Sequence, residues 1–132
     1  MAMTVGCLLT APPASQVDWP TFLARHDLVW EQLPIAWHEG AFLGNGLLGT
    51  MIYTDSKHPL RFDLGRSDVI EHPPTGNYRL PIGTLVLHPV GQVTGGTMRL
   101  DLWNAEATGR LVTDQGTIAW RAFVHTARRC CW

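Results

Sequence analysis

The sequence predicts an all-β, mainly antiparallel chain with one short helix near its start. Thirteen Gly, nine Pro and six Trp in 132 residues fit many turns between short strands better than long helices. Period-two alternation recurs in runs of strand length, at Leu60–Leu64, Thr97–Trp103 and Thr117–Thr126. No heptad, low-complexity tract or internal repeat suggests another organisation.

Asp18 and Pro20 are start signals for a helix, which we place over Thr21–His26. Leu28–Trp30 is a short apolar run, and Ile35–Glu39, bracketed by Pro34 and Gly40, reads as an irregular loop. Leu47–Tyr53 is a continuous apolar run of strand length, consistent with burial on both faces. The turn residues Asp55–Pro59 join it to the alternating Leu60–Leu64 as a hairpin. Arg66–Pro81, with tandem prolines and a Gly-Asn pair, is expected to be loop. Gly83–His88 is a strand stopped by Pro89, and Thr97–Trp103 is a strand opening after Gly95-Gly96. Arg110–Thr113, the turn Asp114-Gln115-Gly116 and Thr117–Thr126 make the clearest hairpin, with Ile118, Trp120, Ala122 and Val124 on one face.

The chain is long enough for one domain, expected over 18–126. Its 45% apolar and 16% charged residues can build a core. Ten Lys/Arg against eleven Asp/Glu leave no electrostatic footprint for nucleic acid or an anionic membrane surface, so neither is an expected partner. No apolar run reaches the length of a transmembrane helix. Residues 1–17 are mildly apolar but lack a basic start, and we expect an unstructured leader. Cys7, Cys130 and Cys131 are odd in number, and adjacent cysteines pair poorly, so no disulfide framework is expected and the compartment stays open.

Gly44-Asn45-Gly46-Leu47-Leu48-Gly49 satisfies G-x-G-x-x-G, with Asp68 downstream. A dinucleotide site needs a strand before the glycines and a helix opening on them. The preceding Trp37–Gly40 reads as no buried strand and the β-favouring Thr50–Tyr53 that comes next is no helix, so the glycines are expected to form a tight turn feeding a strand. His26, His38, His58, His72, His88 and His125 make no H-x-H or H-E-x-x-H spacing, and Ser67 lies in no nucleophile elbow. No metal or other cofactor is expected. Sugar cleavage needs two carboxyl groups a fixed distance apart. Glu31, Glu39, Asp63, Asp68, Glu71 and Asp101 are the carboxylates available, but no motif pairs them, and Asp63 and Asp101 fall on polar strand faces where solvation is the default. We therefore assign no catalytic residue. Trp30, Trp37 and Trp103 could stack on a sugar ring, although packing is the commoner use of tryptophan.

Trp37-His38-Glu39-Gly40-Ala41-Phe42-Leu43-Gly44-Asn45-Gly46-Leu47-Leu48-Gly49-Thr50-Met51 resembles the opening of the N-terminal domain of glycoside hydrolase family 95. That family carries a "P-(I/L)-G-N-G-x-L-G-x-M" segment. Gly44, Asn45, Gly46, Leu48, Gly49 and Met51 match it, while Phe42-Leu43 replaces the proline-led start. Leu60–Val69 resembles the next strand, although the family form is closer to "L-N-E-D-x-L-W". Leu100–Ala107 and Trp120–Thr126 resemble the later "L-D-L-x-x-A" and "Y-x-R-E-x-F-x-S" stretches. The resemblance, from about Trp19 to Thr126, implies a divergent, partial β-sandwich that packs against an (α/α)6 barrel holding the catalytic carboxylates. Activities in such relatives include α-L-fucosidase. Carbohydrate is then the expected partner, engaged through the barrel that these residues lack. Trp37 and Asn45 are the candidate substrate-binding residues, and Gly44, Gly46 and Gly49 the structural ones. Residues 127–132 depart from the pattern and are expected to be an aberrant tail of a truncated or shifted frame. A stand-alone carbohydrate-binding β-sandwich is the alternative.

Overall fold

The structure, a computed structural model, describes residues 17–71 and 78–126. The expected tail and all three cysteines lie outside these residues, as does the expected leader apart from Val17. Helix α1 spans Trp19–Ala24, two residues earlier than the sequence placed it. Asp18 is its N-cap: the carboxylate accepts from the Thr21 amide and, at 2.6 Å, from the Thr21 hydroxyl, which fixes the first turn there.

Strand β1 is Leu28–Trp30, followed by a single 3-10 turn at Trp37–Glu39 inside the expected loop. Strand β2, Ala41–Gly44, was not expected, because its four residues are too few to show a period. Next come strands β3 (Leu48–Tyr53), β4 (Leu60–Glu71) and β5 (Tyr78–Leu87). The last three strands are β6 (Val93–Asp101), β7 (Glu106–Thr113) and β8 (Gly116–Phe123). They form two four-stranded antiparallel sheets, ordered β1-β6-β7-β8 and β2-β3-β4-β5.

Three expectations need correction. Arg66–Pro81 is not all loop: β4 continues to Glu71 and β5 begins at Tyr78, with Ile70 facing Arg79 beyond a register shift at Gly65. Pro81 is tolerated because β5 is an edge strand, where a missing N–H need not break a ladder. Gly95-Gly96 likewise lies within β6 rather than before it. A Cβ on Gly96 would sit 2.7 Å from both the Arg110 carbonyl oxygen and the Leu33 side chain, so the glycine admits a close approach. Finally, β6 ends at Asp101, and Leu102–Ala105 turn instead of extending the strand. Asp101 accepts from the Asn104 amide at 2.8 Å and its side chain at 3.0 Å, which draws the chain round.

The sheets meet face to face. Ala41, Leu43, Ile52 and Leu60 from one pack with Met98, Leu100, Ala107 and Leu111 from the other. Ile118, Trp120, Ala122 and Val124 line the same core from β8 and its end, as their alternation predicted. Phe62 meets Trp120 edge to face across the interface, at 6.1 Å between centroids. Two side chains tie distant parts together. Asp27, with its carboxylate only 3% exposed, accepts from both Nε and Nη2 of Arg99 and from the Leu102 amide. Asn45 donates from Nδ2 to the His125 carbonyl, linking the β2–β3 turn to the end of β8 in the other sheet.

Candidate functional site

Alternation in β2, β3 and β4 sends Ala41, Leu43, Thr50 and Ile52 into the core. Phe42, Gly44, Gly49, Met51 and Asp63 therefore face the opposite side of the sheet. Gly44, Gly49 and Gly65 are successive cross-strand partners, so a row without side chains crosses the sheet. The Phe42 ring lies over two of these glycines: a Cβ on Gly44 or Gly49 would meet it at 3.0 or 3.1 Å. The ring covers backbone that would otherwise be bare, a device known to support glycines in sheets. Beside this row runs an open groove of about 810 Å³. Trp37, Phe42 and Met51 line it from one side, and the far β4–β5 arm adds Arg66, Ser67, Arg79, Leu80 and Pro81.

Asp63 also lines the groove, and it is no simply solvated carboxylate. It accepts from the Tyr53 hydroxyl at 2.6 Å, Arg61 Nε at 2.7 Å and the Thr84 hydroxyl at 2.8 Å. Burial pushes its carboxyl up, but these three donors outweigh that and hold it below the usual carboxylate range. The same hydrogen bond, aided by burial, pushes the Tyr53 phenol up. Arg61 bridges onward to Asp55 at 3.1 Å. Asp55 also accepts from the His58 ring and from the Lys57 and His58 amides, which hold its carboxyl far below the usual range. On the rim, Arg66 pairs with Asp68 through two bonds of 2.9 and 2.7 Å, and that hydrogen bonding lowers the Asp68 pKa.

Of the candidate substrate-binding residues, Trp37 stands on the groove and is 64% exposed. Asn45 serves the fold. Its Oδ1 accepts from the Leu47 and Leu48 amides, closing the turn, while Nδ2 holds His125. Gly46 adopts φ +87° in that turn, whereas Gly44 and Gly49 provide the seat for Phe42. The glycine turn leads into a strand, so it offers no helix N-terminus for pyrophosphate.

Sequence reasoning missed Phe42, which reads as an ordinary strand residue, and the cluster around Asp63. The only available signal for the cluster was the alternation that aligns Arg61 with Asp63 across from Tyr53 and Met51. Among the described residues no group of three His, Cys, Asp or Glu side chains is placed to hold a metal ion. No family model, no curated protein and no solved structure matches the chain.

Proposed function

We propose that this chain is a non-catalytic N-terminal sandwich domain of a glycoside hydrolase resembling family 95, which supports the catalytic barrel and shapes one side of its substrate cleft. The observation that carries this reading is the position of the motif behind the resemblance. Gly44–Gly49 builds the β2–β3 turn, is pinned to the second sheet through Asn45, and borders the groove. A segment so placed can stiffen a cleft wall.

The carboxylate in the groove and its two neighbours do not supply the general acid of a glycosidase. Asp63, Asp55 and Asp68 are all held below the usual carboxylate range by their hydrogen-bond donors. A general acid for glycosidic cleavage needs the reverse, a carboxyl that keeps its proton near neutral pH. The 132-residue chain is accordingly expected to give no turnover of aryl glycosides. Coding sequence for a helical barrel next to that of this domain is the expected genomic finding. Turnover by the chain itself, abolished by one Asp or Glu substitution within it, would overturn the assignment.

A further inference from the structure

We propose that the groove on the outer face of the β2–β5 sheet is a binding site for a neutral saccharide chain. Its ligand class accords with the glycosidase-domain reading and rests on it only for the source of the sugar. Binding itself would be a property of this chain.

The site is built from a fixed aromatic face. One side of the Phe42 ring lies against Gly44 and Gly49, yet the residue remains 60% exposed, so the ring's other side meets solvent. Trp37 adds a second exposed indole on the same groove, steadied edge to face by His38 at 5.6 Å. Such rings suit the apolar C–H face of a sugar, which would stack on the solvent side of the Phe42 ring.

The polar half is equally preorganised. Met51 pairs across the sheet with both Phe42 and Asp63, so aromatic face and carboxylate are two strand spacings apart, about 10 Å. Among the described residues, Asp63 Oδ1 accepts from Arg61 and Thr84, but Oδ2 accepts only from Tyr53 and keeps one acceptor position for a hydroxyl. A ring stacked on Phe42 that also reaches Asp63 must belong to a chain of sugars.

Three charged side chains line the groove, Asp63, Arg66 and Arg79, and the first two are held by Arg61 and Asp68. The ionised Asp63 disfavours a phosphate or acidic sugar at its end of the groove, where a neutral polyol meets hydrogen-bonding partners, whereas Arg66 and Arg79 line the β4–β5 side, so the anions in the titration below decide the ligand's charge. The volume of about 810 Å³ lies within the range of small-molecule sites.

The test is calorimetric titration of the full 132-residue chain with cellotetraose, maltotetraose, 2′-fucosyllactose, tetragalacturonate and inorganic phosphate. At least one neutral oligosaccharide should bind saturably at one site. Trp37→Ala and Phe42→Leu should each weaken it about tenfold or more, with far-ultraviolet circular dichroism unchanged. Amide chemical-shift mapping on the unsubstituted chain covers the case in which a variant fails to fold, with shifts expected at Phe42, Gly49, Met51 and Asp63. No saturable neutral binding up to about 10 mM, tighter binding of either anion, or shifts confined to the β1-β6-β7-β8 sheet would each overturn the site. So would indifference to both substitutions. Failure here leaves the scaffold assignment standing, because that is judged on the barrel.

Discussion

Gly46 has no atom of a described residue within 4 Å of the position its Cβ would take, so it is its φ of +87° that resists substitution. Gly46→Ala should therefore cost about 1 kcal/mol, and Gly46→Asn less, because asparagine tolerates the left-handed region better. Urea midpoints of the two variants check this ordering. Gly49→Ala fails by another route, pressing on the Phe42 ring at 3.1 Å, so displacement of that ring should be its signature. Asn45 allows its two tasks to be separated. Asn45→Asp keeps an acceptor for the Leu47 and Leu48 amides but loses the donor to His125, whereas Asn45→Ala loses both. The alanine variant should lose about 2 kcal/mol and the aspartate variant about half that, read from chemical denaturation. That the glycines form a turn was legible in the sequence, because β-favouring residues come directly after them. The bond to His125 was not, since no local pattern records a contact across 80 positions.

At the scale of elements, the β3–β4 hairpin carries its polar cluster on the face away from the core. Asp55 and Asp63 have folded-state pKa values depressed below the ordinary value near 3.9. Each therefore contributes stability above that unfolded value, and loses the contribution as pH falls through its folded value, since the unfolded chain then binds more protons. Thermal stability should be steady with respect to these groups above about pH 5 and decline below about pH 4. Asp63→Asn should flatten that decline, and a melting series from pH 2 to 7 would reveal a slope that does not change. The β1–β6 pair depends on a different clasp. Removing Arg99 leaves the Asp27 carboxylate buried with, among the described residues, only the Leu102 amide, so Arg99→Ala should cost on the order of 3 kcal/mol in equilibrium unfolding. The hairpins of β3–β4 and β7–β8 were legible because alternation and turn residues coincide there. The β4–β5 arm was not, because prolines and glycines outweighed a ladder that tolerates them at a sheet edge.

Across the whole molecule, the two-sheet architecture arises from alternating apolar faces, but which strands share a sheet had to come from the structure. The β5 strand ends one sheet, with Leu80, Ile82, Leu85 and Leu87 exposed and Arg79 its only charge. Long apolar edges of this kind invite pairing with other chains. Leu85→Lys, at a residue 61% exposed, should raise solubility in light-scattering titrations without changing the denaturation midpoint. The order of the strands has a consequence in time as well. The β1 strand belongs with β6, β7 and β8, and its clasp from Asp27 to Arg99 closes over 72 positions. Strand β1 must therefore wait until the whole β2–β5 sheet has been made before it meets its partner β6. Local hairpins can form early, but joining β1 requires closing that long loop, and such non-local pairing slows folding. During synthesis Leu28, Val29 and Trp30 thus travel as an unmatched apolar segment until β6 has been made.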